Sequence, residues 1–163
     1  MSRLDRLSTY MAMAEIIANR ATCNKARVGC VVTDGWNRIA GVGYNGNPPN
    51  MPHCSDLGCV IVDGRCISTL HAEVNALLQI RPRSPIVSYT VYCTHSPCLT
   101  CLKIGVSLGV SHWYYLTHYE DLLRDGFLEW YNNNTSELNH IKLMRVKKIG
   151  ENTYAPMEHP ERP

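Results

Sequence analysis

The sequence predicts an α/β sandwich, and three observations carry that prediction. After one early hairpin signal, β-rich runs alternate with segments of helical periodicity, the pattern of helices packed on a sheet. The chain of 163 residues is the size of one domain with a real core. No internal repeat and no second domain is visible, so a single domain is expected over 1–150, with a loose tail over 151–163.

The elements follow in order. Leu4, Leu7, Met11, Ala14 and Ala18 recur at helical spacing, which predicts an amphipathic first helix ending near Arg20. Val28 to Thr33 and Arg38 to Gly43 are β-rich runs joined by "TDGWN", whose Asp34-Gly35 pair signals a hairpin. Tyr44 to Arg65 is rich in Gly, Pro, Asn and Cys and predicts a loop. At that length it is functional or tied down. Thr69 is placed to cap a helix opened by His71, with Ala72, Val74, Ala76, Leu77 and Ile80 at its apolar positions and Arg81-Pro82 as its stop. Tyr89 to Thr94 predicts a strand. Ser96 as cap and Pro97 in the first turn predict a helix from Cys98 to about Leu108. A strand over Val110 to Leu116, a helix over Glu120 to Tyr131 and a last strand over Ile141 to Val146 complete the alternation. The proline-rich stretch from Glu151 predicts a loose end.

Composition narrows the function classes. The chain is 45% hydrophobic and 18% charged, with a net charge of +2. That balance argues against a nucleic-acid partner and against electrostatic attachment to a membrane. No apolar run is long enough to span a bilayer. The first ten residues carry Arg3, Asp5 and Arg6 and no apolar signal core, so a soluble, cytoplasmic protein is expected. In a reducing compartment, eight clustered cysteines are more often metal ligands than disulfides.

Two short motifs carry the chemistry. Cys98 and Cys101 stand three apart in a first helical turn, where both sulfurs face one point and the helix dipole favours thiolates. His71 offers an imidazole from the start of another helix. Three protein ligands leave a tetrahedral zinc with one open position, the arrangement of a catalytic site that acidifies water. Glu73, two residues from His71, projects at a different angle and is the candidate proton shuttle. A second constellation is Cys23, His53, Cys54, Cys59 and Cys66. Any four of these could hold a structural zinc that staples the long loop to the end of the first helix, the alternative being that some are small buried residues. Cys30 and Cys93 lie on strands and read as core.

H-x-E with P-C-x-x-C is the signature of the zinc nucleobase deaminases. The sequence resembles the cytidine deaminase superfamily, and within it the deoxycytidylate deaminases. The resemblance runs from about Leu4 to Val146 and rests on "ARVGC", "GYNGNP", "HCSDLGC", "HAEVNALL" and "THSPCLTC". Cys30 departs from the family, which usually has a small alanine there. The resemblance implies a three-layer α-β-α sandwich around a mixed five-stranded sheet, and zinc-dependent deamination of dCMP to dUMP. It implies a second zinc near Cys23 and Cys54, where Cys59 and Cys66 would complete an all-cysteine set with His53 as substitute, and contact between Asn45 and the deoxyribose. It also implies a homo-hexamer activated by dCTP with Mg²⁺ and inhibited by dTTP, with effector contacts near Gly43, Tyr44, Asn45 and Gly46. Arg27, beside the hairpin, is the candidate for the 5′-phosphate, since a guanidinium suits that dianion. Ala72, Ser96 and Pro97 flank the metal ligands, and their backbone groups are expected to grip the base edge. Tyr119, after a strand end, is a candidate contact for the sugar-phosphate. His95, His112 and His118 read as ordinary polar residues, and Trp113 to Tyr115 as core or subunit interface.

Three alternatives accompany that reading. One is a deaminase acting on dCTP, cytidine, deoxycytidine or another base. Another is a non-catalytic zinc-binding interaction module, which has no use for Glu73. The last is a thiol redox protein built on Cys98 and Cys101, which leaves His71 unexplained.

Overall fold

The computed structural model describes residues 3–80 and 88–157. Helix α1 spans Arg6–Ala18, shorter than the predicted span because Asp5 fixes its start by accepting a 2.6 Å hydrogen bond from the Ser8 amide. Strands β1 (Gly29–Thr33) and β2 (Ile39–Tyr44) form the predicted antiparallel hairpin. Its turn is longer than a two-residue loop. Asp34 Oδ1 accepts from the amides of Trp36 and Arg38, and Asn37, not Gly35, takes the left-handed conformation at φ 61°.

The Cys-rich segment is not structureless. It contains helix α2 (Cys54–Leu57) and a small hairpin of β3 (Ile61–Val62) and β4 (Arg65–Cys66). The connecting Asp63 and Gly64 both have positive φ, 47° and 73°, as a tight two-residue turn of the Asp-Gly type requires.

Helix α3 spans Ala72–Leu77, and its cap is His71 in place of the expected Thr69. The predicted stop at Arg81-Pro82 lies outside the described residues. Strand β5 covers Tyr89–His95 and helix α4 covers Leu99–Ser107. Cys98, not Ser96, caps α4, its sulfur accepting from the Cys101 amide at 3.5 Å. Ser96 is held elsewhere: its hydroxyl oxygen accepts from the Tyr119 amide at 2.9 Å. Strand β6 (Val110–Thr117), helix α5 (Leu122–Asn133, capped by Asp121) and strand β7 (Lys142–Gly150) follow.

The expected loose tail is corrected at its start. Thr153–Pro156 forms strand β8, antiparallel to β7, and Tyr154 is buried against α1. The remainder of that tail, 158–163, lies outside the described residues. The main sheet therefore has six strands where five were expected, in the order β2-β1-β5-β6-β7-β8. It is mixed: β5, β6 and β7 run parallel, and the other neighbours are antiparallel.

Strand alternation explains the three layers. Cys30, Val32, Val91, Cys93 and Trp113 point into one core with α3 and α4, joined by partly buried residues of α5. Val31, Tyr92 and Tyr114 point the other way, into the core beneath α1. Close approach of helix to strand sets where the site lies. A Cβ on Gly43 would collide with the Ala72 carbonyl oxygen and stand 2.6 Å from the Ala76 amide nitrogen. Only glycine lets the start of α3 rest on β2.

Candidate active site

Two helix starts bring the first set of donors together. His71 caps α3 and Cys98 caps α4, with Cys101 in the first turn of α4. His71 Nδ1 stands 3.5 Å from Cys98 Sγ and 3.4 Å from Cys101 Sγ. One donor atom from each of the three residues lies within 4.8 Å of the others. Hydrogen bonding with the Cys101 thiol, then with His71, pulls the Cys98 thiol down to about 4. Cys101 moves far in the opposite direction through its bond to Cys98 and its burial. One sulfur of the pair is thus held as thiolate. Two sulfurs and one imidazole on converging helix starts suit zinc, and three donors are the catalytic complement.

Glu73 lies in the first turn of α3 and is 4% exposed. Burial pushes its carboxyl up to about 7, against the opposing pull of its own backbone amide and of His71. A carboxyl poised near neutrality both takes and gives a proton, which is the property a shuttle needs.

These groups open into a cavity of about 450 Å³, a volume suited to a small ligand. His71, Glu73 and Cys98 line it, as do Asn45, Ala72, Ser96 and Tyr119. Asn45 is buried, its amide oxygen accepting from the Val28 amide and its nitrogen donating to the Ala26 carbonyl, both at 2.8 Å. Pro97 is fully buried behind the lining, and its carbonyl accepts from Arg124. Arg27 is exposed and is not among the lining residues. Gly43, Tyr44 and Gly46 hold the neighbouring backbone: the Tyr44 carbonyl accepts from Asn75 at 2.8 Å, and Gly46 bridges to Leu70.

The second constellation also assembles. Donor atoms of Cys23, Cys54, Cys59 and Cys66 all lie within 4.8 Å of one another. Cys23 and Cys59 sulfurs are 3.6 Å apart, and those of Cys54 and Cys66 are 3.7 Å apart. Every one of these cysteines is free of disulfide bonding, and four sulfurs match a closed tetrahedral zinc site. His53 is not in the cluster. It caps α2, its amide donating to the Asp56 carboxylate at 3.2 Å. Cys30 and Cys93 face each other across β1 and β5, fully buried in the core.

Several residues escaped the sequence reading. Lys25, Asp63, Arg65 and His95 line the cavity. The Asp63-Gly64 pair carries the same hairpin signal as Asp34-Gly35, so the hairpin that presents Arg65 was findable. Arg124, fully buried, donates to the Ser96 hydroxyl and to the carbonyls of Pro97 and Tyr119, each at 3.1 Å. Asp121 accepts from the Leu99 and Arg124 amides at 3.1 and 3.0 Å and from the Tyr119 hydroxyl at 3.1 Å. One carboxylate thereby joins the starts of α4 and α5. Among the described residues, no helix is long and apolar enough to cross a membrane.

A mixed sheet between helical layers, with H-x-E and P-C-x-x-C meeting at two helix starts, defines a zinc-dependent deaminase fold. Residues 4–117 match the family described as the cytidine and deoxycytidylate deaminase zinc-binding region, and the chain belongs to that family. It is similar to a protein named ComE operon protein 2 from Bacillus subtilis, with 36% identity over 121 residues, covering 74% of this chain and 64% of that one. It is similar to the deoxycytidylate deaminase of Schizosaccharomyces pombe, with 38% identity over 120 residues, covering 69% of this chain and 37% of that one. These alignments thus span between about a third and two thirds of the relatives' own length. Among solved structures, the dCMP deaminase of cyanophage S-TIM5 in complex with dCMP and dUMP matches with a TM-score of 0.62 and 26% identity, over 89% of this chain and 99% of that one.

Proposed function

We propose that this protein catalyses the hydrolytic deamination of dCMP to dUMP and ammonia, feeding thymidylate synthesis. The observation that carries the reading is Glu73: a buried carboxyl near neutrality, two residues from His71, in a ligand-sized cavity. Support for dCMP comes from the relatives named as deoxycytidylate deaminases and from the cyanophage enzyme solved with dCMP and dUMP.

In this reading His71, Cys98 and Cys101 hold zinc, which when bound supplies a Lewis acid that makes water nucleophilic at neutral pH. Water adds to the ring carbon that bears the amine. Glu73 takes one proton of that water and delivers it to the adjacent ring nitrogen; it then takes the remaining proton from the added hydroxyl and gives it to the amine, so that the carbon–nitrogen bond breaks, the carbonyl forms and ammonia leaves. Asn45 positions the sugar, Ala72 and Ser96 present backbone groups to the base edge with Pro97 packed behind them on Arg124, and Tyr119 borders the sugar-phosphate. Cys23, Cys54, Cys59 and Cys66 hold the structural zinc. Regulation by dCTP with Mg²⁺ and by dTTP near Gly43 to Gly46, a homo-hexamer and a cytoplasmic location complete the proposal.

The test is turnover of dCMP, deoxycytidine and dCTP side by side, read as ammonia release. Highest kcat/KM on dCMP is expected. A preference for dCTP or deoxycytidine assigns the protein to a sister activity. No turnover of any cytosine substrate, with zinc present, favours an interaction module.

A further inference from the structure

The cavity carries two cations that the reaction itself does not use. Lys25 follows Cys23 in the segment after α1, and Arg65 precedes Cys66 in the hairpin β3–β4. Both line the cavity, and among the described residues neither forms an ion pair. The Lys25 ammonium donates to the Gly64 carbonyl, so the two segments meet. The Arg65 guanidinium stands 5.9 Å from the centre of the Tyr119 ring. Asp63, at the hairpin turn, also lines the cavity and sets one negative charge against the two positive ones.

What holds this hairpin is unusual. Each strand has two residues, and Ile61, Val62 and Arg65 are exposed. A hairpin this short with no apolar face has no stability of its own. Cys66, half-buried, reaches Cys54, and Cys59 at the other approach to the hairpin reaches Cys23. The sulfur cluster therefore sets where Arg65 and Gly64 stand, and through Gly64 it meets Lys25.

Resting on the dCMP reading, we infer that Lys25 and Arg65 form the receptor for the substrate's 5′-phosphate, and that the metal of the four-cysteine cluster is a specificity element because it positions them. Both cations suit a phosphate dianion: the planar fork of Arg65 binds two oxygens, and Lys25 acts as a point charge. The sulfur cluster thus sets the choice of nucleotide over nucleoside from outside the reacting centre.

The test uses the products dUMP and deoxyuridine, which bind without turnover, in calorimetric titrations of the zinc-loaded protein. The unmodified protein is expected to hold dUMP about a hundredfold more tightly than deoxyuridine, from two charged contacts of about tenfold each. Equal affinities would sink the nucleotide reading itself. Given a preference, Arg65→Ala and Lys25→Ala should each shrink the affinity ratio by about tenfold, with Arg65→Lys recovering part of it. A ratio untouched by both alanine variants overturns the receptor. Cys59→Ser should lose one zinc by elemental analysis and shrink the ratio as Arg65→Ala does, whereas Cys59→His, which keeps a ligand, should retain both. Loss of that zinc with the ratio intact overturns the positioning role.

Discussion

The Arg124 guanidinium stands 3.1 Å from the Ser96 hydroxyl oxygen, fully buried, and the same nitrogen donates to the Pro97 and Tyr119 carbonyls. One side chain thereby ties the end of β5 to the segment after β6, and both segments border the cavity. Arg124→Met fills the space but leaves three acceptors without this donor. Ser96 and Tyr119 keep their mutual hydrogen bonds, so the Pro97 carbonyl is the acceptor left unpaired, and a loss of about 1–3 kcal/mol in stability is expected from urea unfolding. Under the proposed function, KM should rise more than kcat falls, since Ser96 and Tyr119 line the cavity and lose a common anchor. An unchanged urea midpoint rejects the clamp.

Glu73→Gln keeps the shape of the side chain and removes the proton carrier. Zinc content should be retained while turnover falls by a factor on the order of 10² to 10⁴. Elemental analysis and ammonia release measure the two halves, and near-normal turnover removes Glu73 from the mechanism.

Metal counting tests the second cluster. Two tightly held zincs per chain are expected, one of which is lost in Cys54→Ser. Hydrogen exchange should then quicken across 54–66, because the hairpin there has no buried apolar side chain to hold it. A single zinc in the unmodified protein rejects the cluster as a metal site.

Gly43→Ala tests the contact that seats α3. The added methyl collides with the Ala72 carbonyl, and backbone on both sides leaves little room to yield. A loss of about 1–3 kcal/mol is expected. Activity should fall beyond the loss of folded protein, since His71 and Glu73 ride on the displaced helix. Full activity in the folded fraction would show that α3 accommodates the methyl without moving the site.

Tyr154→Ala tests whether β8 is part of the fold. Tyr154 is 2% exposed, packs in the cluster with Met11 and Ala14, and its amide donates to the Ser8 hydroxyl at 3.0 Å. Truncating a buried aromatic costs about 3 kcal/mol or more, which for a domain of this size lowers the melting temperature by about 6–12 °C. A shift under two degrees in calorimetry would return this strand to the status of a tail.

The comparison between sequence and structure divides along physical lines. The existence of helix α4 and the convergence of His71, Cys98 and Cys101 were legible because a proline and a three-residue spacing are local signals, while the cap itself fell on Cys98 instead of Ser96. Strand β8 was not, because a four-residue strand between turn residues and prolines has too little periodicity, and it is made by pairing with β7. Lys25, Arg65, His95 and Arg124 were missed because each becomes a site residue only through tertiary contact. Arg27 and Lys25 are two residues apart and look alike in sequence, but only Lys25 reaches the cavity. The cap of α3 moved from Thr69 to His71, and Thr69 turns its hydroxyl toward the Cys66 sulfur at 3.9 Å.

The hairpin β3–β4 lies outside the six-stranded sheet and contributes to neither apolar core. A segment held by a sulfur cluster and a few polar contacts, with no share in the apolar cores, is a replaceable part. Its length and its side chains are free to drift, so long as Cys59 and Cys66 keep their places, while strand order and the zinc ligands of the reacting centre stay fixed. Under the proposed function, grafting hairpins with other residues at position 65 is a direct route to altering which cytosine compound the scaffold accepts.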